Sequence, residues 1–120
     1  MRVLLADNQA KERAALKRLL GQDPELCLVG EAAEVESLLA QAEAIHPDLV
    51  LLDWELPGLG GVDLLPTFGC SLKVVAFGEH IGARQEALAA GVDAFVSKQE
   101  PVEQLLNTVR AVGRLSPCFV

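Results

Sequence analysis

The stretch that decides the fold is "DLVLLDWELPG", residues 48–58. Four apolar residues, Leu49 to Leu52, run straight into the carboxylate of Asp53, and the Pro57-Gly58 pair follows closely. An apolar run of this length suits a strand buried on both faces, and a Pro-Gly pair marks a turn. A buried strand that stops on an acid presents that acid at the rim of a sheet.

Working outward, similar runs recur at Val3–Ala6, Leu26–Val29, Val74–Phe77 and Ala94–Val96. Helix-period stripes lie between them. Ala15, Leu16, Leu19 and Leu20 make one, closed by Gly21; Val35, Leu38, Leu39, Ala42 and Ile45 make another, stopped by Pro47. A weaker stripe (Ala83, Ala87, Leu88, Ala90) precedes Gly91, and Val102, Leu105, Leu106, Val109 and Val112 follow Pro101, a helix opener. Pro66 stunts any helix between Val62 and Phe68. Five strands alternating with helices predict one α/β layer sandwich on a parallel sheet, with no linker, repeat or low-complexity segment.

Composition bounds the function. At 120 residues the chain fits a single domain able to bury a core, and 51% hydrophobic against 22% charged residues reads as globular. A net charge of −7 repels nucleic-acid backbones, so direct DNA or RNA binding is not expected of this domain. Cys27, Cys70 and Cys118 are scattered, which predicts reduced thiols, neither disulfides nor a zinc site. No apolar run has the length of a signal-peptide core or a membrane span, so a cytoplasmic location is expected.

In parallel sheets of this kind, ligands bind beyond the carboxyl ends of the strands, where the winding reverses. Strand one ends in Asp7-Asn8, strand three in Asp53, strand four near Gly78 and strand five in Lys98. Two carboxylates, an amide and an ammonium should therefore meet. Clustered carboxylates need a cation or a proton between them, and hard oxygen ligands suit magnesium. A lysine beside them can hold a phosphate, and an aspartate there can attack phosphorus to give an acyl phosphate. The constellation points to magnesium-assisted phosphoryl transfer onto Asp53.

Four segments, "VLLADNQAKERAALKRLL", "HPDLVLLDWELPGLGGVDLL", "LAAGVDAFVSK" and "EQLLNTVRAV", in that order over nearly the whole chain, resemble the receiver domains of two-component response regulators. The subfamily most resembled is the one whose receivers precede LuxR/NarL-type helix-turn-helix domains. The resemblance implies a single receiver over residues 1–120 with a flavodoxin-like (βα)5 fold and strand order 2-1-3-4-5. It implies phosphorylation of Asp53 by a histidine kinase or a small donor. Magnesium would be held by Asp7, Asn8, Asp53 and the backbone carbonyl of Glu55, and Lys98 would contact the phosphoryl oxygens. Gly78 and Phe95 would occupy the two switch positions, and a second copy could pair through the receiver helices. The domain would be a signalling module rather than an enzyme with turnover.

Two residues depart from that pattern. Asn8 replaces a second acid, which should weaken magnesium binding unless the Glu55 side chain turns inward. Gly78 replaces the Ser or Thr whose hydroxyl couples modification to the switch. Both favour the alternative of a pseudo-receiver that works by protein–protein contact without phosphorylation. Simpler roles also exist for single residues: Asp53 as a turn former, Asn8 as a helix cap, Lys98 as a snorkelling surface lysine and Phe95 as plain core. His46 and His80, without partners at metal spacing, read as surface-loop residues, and Trp54 as a packing residue at the sheet's edge. A haloacid-dehalogenase-like phosphatase would use Glu55 as its second acid but leaves Asp7 unexplained, and "ADNQAKE" lacks the phosphate loop of a flavin carrier.

Overall fold

The computed structural model describes residues 1–59 and 72–114. The stunted helix expected between Val62 and Phe68, together with Cys70 and Cys118, lies outside them. Five strands, β1 (Arg2–Ala6), β2 (Cys27–Ala32), β3 (Leu49–Asp53), β4 (Lys73–Gly78) and β5 (Ala94–Ser97), form one sheet. All four strand pairings are parallel, in the order β2-β1-β3-β4-β5. Helices α1 (Ala10–Gly21), α2 (Val35–Ile45) and α3 (Ala83–Ala89) each lie on a crossover between strands, and α4 (Val102–Gly113) follows β5. The fold matches the doubly wound sandwich read from the sequence, and the winding reverses between β1 and β3.

The two-residue period of the strands divides the core into two layers. Val3, Leu5, Leu49, Leu51, Val75, Phe77 and Val96 pack beneath α1 and α4, through Leu16, Leu20, Leu105 and Val109. Leu4, Ala6, Val50, Leu52, Val74, Ala76 and Phe95 pack beneath α2 and α3, through Val35, Leu38, Ala83 and Ala87. Every residue of β3 is buried, as its unbroken apolar run requires.

Three local expectations differ. Strand β2 starts at Cys27 and continues through Gly30 and Glu31 to Ala32. It is an edge strand paired only with β1, where polar and small residues cost little, and Gly30 packs against the Leu4 and Ile45 side chains. Ala15, Ala90, Leu88 and Val102 lie exposed. The short α3 reaches the sheet through Ala83 and Ala87, and Val102 is the first, exposed residue of α4. Asn8 does not cap α1: the N-cap residue is Gln9, without a side-chain cap, and its N–H is taken by Asp7 Oδ1 at 2.9 Å. Pro101 occupies the N-cap of α4, just ahead of its first turn.

Candidate functional site

The site forms where the strand alternation runs out on the α1/α4 side. Asp7 continues the facing set of Val3 and Leu5, Asp53 closes that of Leu49 and Leu51, and Lys98 continues Val96. Because Ala6 pairs with Leu52, the two aspartates emerge side by side. The Lys98 N–H donates to the Gly78 carbonyl at 2.8 Å and so ties the end of β5 to the end of β4. Asp7 and Asp53 are both 0% exposed, and the Lys98 side chain is 11% exposed.

The chain beyond Asp53 makes the turn that Pro57-Gly58 predicts. Leu56 N–H donates to the Asp53 carbonyl at 3.0 Å, and Gly58 adopts φ 86°, a left-handed conformation that suits glycine. Glu55 N–H donates to Asp53 Oδ1 at 3.0 Å, leaving Asp53 Oδ2 buried without a hydrogen bond; Asp7 Oδ2 is likewise buried and unpartnered.

Lys98 Nζ lies 3.2 Å from Asp53 Oδ1, 3.0 Å from Glu55 Oε2 and 3.0 Å from Glu12 Oε1. Three carboxylates (Glu12, Asp53, Glu55) thus gather around one ammonium, with Asp7 beside Glu12 and Asp53, where two carboxylates were expected. Glu12, from the first turn of α1, went unnoticed in the sequence. One carboxylate oxygen from each of Asp7, Glu12 and Asp53 lies within 4.8 Å of the others. The available signal was an acid one helical turn past the end of β1, but such an acid usually serves only the helix N-terminus.

Burial and the neighbouring groups together set how Asp7, Glu55 and Lys98 titrate. Burial, then the adjoining Glu12 carboxylate, push Asp7 up to about 8 against the lowering effect of the Gln9 N–H. Burial alone would raise Glu55, but Lys98 and the Glu79 N–H hold it below the ordinary glutamate value. Burial alone would lower Lys98, yet Glu55 and Glu12 hold it above the ordinary lysine value. Lys98 is therefore a cation at any physiological pH.

The Glu55 side chain does turn inward, as the sequence reading allowed. Its second oxygen, Oε1, accepts from the N–H groups of Glu79 and His80 at 3.3 and 3.2 Å, in the loop after β4. His80 is not solitary. Its ring bridges Glu55 Oε1 at 3.3 Å and Glu86 Oε2 at 3.1 Å, and Trp54 Nε1 donates to the same Glu86 oxygen at 3.3 Å. Asn8 is exposed at the pocket's edge.

Gly78 and Phe95, the residues expected at the switch positions, face the other layer. A Cβ on Gly78 would sit 3.4 Å from Phe95 Cζ and 3.3 Å from Trp54 Cβ. The Phe95 ring is buried, with the Arg84 guanidinium 5.1 Å from its centroid.

An all-oxygen donor set with unpartnered buried oxygens fits a hard divalent cation such as magnesium. A sealed aspartate beside an ammonium also suits the attack of a carboxylate on phosphorus. The profile of the response regulator receiver domain matches residues 3–110. The chain belongs to the response regulator receiver domain family. This receiver is 32% identical over 112 residues to the nitrate/nitrite response regulator NarL of Escherichia coli K12, covering 89% of this chain and 52% of NarL. It is 32% identical over 120 residues to the DNA-binding transcriptional activator DevR/DosR of Mycobacterium tuberculosis, covering 94% of this chain and 54% of that protein. The receiver thus spans about half the length of these relatives. Among solved structures, the response regulator domain of Thermotoga maritima CheB superposes with a TM-score of 0.82 at 26% identity, covering 98% of both chains. The NarL-type resemblance read from the sequence is thereby confirmed, and so is the place of the receiver in two-component signalling. Among the described residues, no helix is long and apolar enough to cross a membrane.

Proposed function

We propose that this receiver accepts a phosphoryl group on Asp53. The observation that carries this reading is a fully buried Asp53 with one unpartnered oxygen, fixed by the Glu55 N–H and by Lys98 at 3.2 Å. The donor is a phosphohistidine of a histidine kinase or a small phosphorylated molecule. An Asp53 oxygen forms the new bond to phosphorus while the bond to the donor's nitrogen or oxygen breaks, and the donor leaves with that electron pair. Lys98 then holds the phosphoryl oxygens by charge.

Asp7 and Asp53, with Asn8 and the Glu55 carbonyl, are the ligands proposed for magnesium, which when bound offsets the charge of the incoming phosphoryl oxygens. Gly78 and Phe95 stand at the switch positions, but with no hydroxyl at Gly78 the link between them runs through packing alone. The domain acts as a signalling module whose only chemistry is on itself, at a cytoplasmic site. Its similarity to regulators about twice its length supports an output in transcription through a further domain.

The test is intact-mass measurement after incubation with a small acyl phosphate and magnesium. A single phosphoryl adduct in the parent, absent in Asp53→Asn and in chelator, is expected. An unmodified parent, in the presence of both acyl phosphate and a panel of phosphorylated kinase domains, would leave a contact module without phosphorylation as the better reading.

A further inference from the structure

We infer that Glu12 supplies the second acid of the cation site, from the first turn of α1, in place of the charge that Asn8 lacks. The inference rests on the reading of Asp53 as a phosphoacceptor that works with magnesium.

Asn8 brings an amide to the end of β1 and lies exposed, so its own contribution adds no charge. Helix α1 packs on the same sheet face from which Asp7 and Asp53 emerge, through Leu16 and Leu20. Glu12 lies one turn ahead of Leu16 on that inward side. Its side chain is only 27% exposed, although it opens a helix whose neighbours Lys11 and Ala14 are exposed. A glutamate serving the helix N-terminus alone would extend into water. Instead it turns toward Lys98 and the two sealed aspartates, an arrangement that repulsion opposes unless a proton or a cation lies between the carboxylates.

Lys98 does not complete it. Its ammonium is shared among Glu12, Asp53 and Glu55, and no ion pair joins it to Asp7. The buried oxygens Asp7 Oδ2 and Asp53 Oδ2 still have no donor. Since one oxygen from each of Asp7, Glu12 and Asp53 lies within 4.8 Å of the others, a small divalent cation has three carboxylates within reach.

The experiment titrates magnesium alone, by calorimetry and by Trp54 fluorescence, into the parent, Glu12→Gln, Asp53→Asn and the double variant Asn8→Asp/Glu12→Gln. Thermal melts without metal check that each folds. The expected result is saturable binding in the parent, at least about tenfold weaker in Glu12→Gln, and restored to within about threefold by the double variant. Restoration is the readout that a merely structural Glu12 would not give. Parent-like binding by Glu12→Gln overturns the inference and leaves the phosphoacceptor reading standing. Weakening that the double variant does not restore overturns it too, because Glu12 would then serve the fold. Binding by the double variant alone, with a silent parent, also overturns it. Silence in every variant overturns both readings.

Discussion

Replacing Lys98 with methionine keeps the unbranched apolar stem and deletes the ammonium that three carboxylates share. At 3.0 to 3.2 Å, and with an effective dielectric of about 20, each ion pair has a gross Coulomb energy of about 5 kcal/mol, which desolvation largely cancels. What remains after the substitution is a buried Asp53 with no opposite charge, and breaking a buried pair from one side costs about 3–5 kcal/mol. The unfolding entropy of a domain this size is about 0.25 kcal/mol per kelvin, so the melting temperature should fall by about 12–20 °C near pH 8. Because ionised carboxylates cause the loss, it should shrink near pH 5, and millimolar magnesium should recover part of it. The assay is a set of thermal melts by circular dichroism at both pH values, with and without magnesium. A drop below about 4 °C near pH 8 would refute the reasoning. A drop of equal size at both pH values would show that packing, not charge, is what Lys98 supplies.

Asp7 carries its own pH signature. The folded protein holds a proton there up to about 8, whereas the unfolded chain releases it near 3.8, so the stability from Asp7 is full below 3.8 and lost as pH rises through about 8. The Asp7 contribution to the metal-free melting temperature should therefore decline between about pH 4 and pH 8 and level off above, and an undiminished slope in Asp7→Asn would count against this account. His80 should titrate above its usual value of 6.5, chiefly because Glu86 and then Glu55 hold its charged form; Glu86→Gln should lower it in an NMR titration, and a parent value at or below 6.5 would contradict the bridge. Gly78→Ser should fold, since neighbours 3.3 to 3.5 Å from the added Cβ need give only slightly. Its melting temperature should stay within about 4 °C of the parent, and loss of a cooperative transition would show that the Phe95 ring leaves no room.

The strands and the three anchors of the pocket were legible for one reason. A sheet's two-residue period carries side chains outward predictably, so the apolar runs alone tell that Leu49 and Leu51 aim Asp53 and that Val96 aims Lys98. Helix positions lack that guarantee. Whether Glu12 faces water or the pocket depends on how α1 sits on the sheet, and Leu16 and Leu20 settle that only once the layers pack. The extension of β2 was hidden because Gly30 and Glu31 read as a turn in isolation, while pairing with β1 overrides that local preference. Leu88 and Val102 mislead in the opposite direction: their spacing fits a buried stripe, but both side chains lie exposed. The partners of His80 are invisible in one dimension, because Glu55 and Glu86 reach it from a different turn and a different helix.

The sharing of Lys98 has a consequence for how the chain folds. Asp7 and Glu12 come from the beginning of the chain, Asp53 and Glu55 from the middle, and the lysine that Glu12, Asp53 and Glu55 share from just past the last strand. Until β5 docks on β4, the early sheet concentrates negative charge at one rim without its shared lysine. The pocket should then assemble last and all at once, since non-local pairing must precede its favourable electrostatics. A partly folded molecule would present an Asp53 without its ammonium and so a poor acceptor. On the proposed phosphoacceptor role, competence to react is in this way tied to completion of the whole sheet.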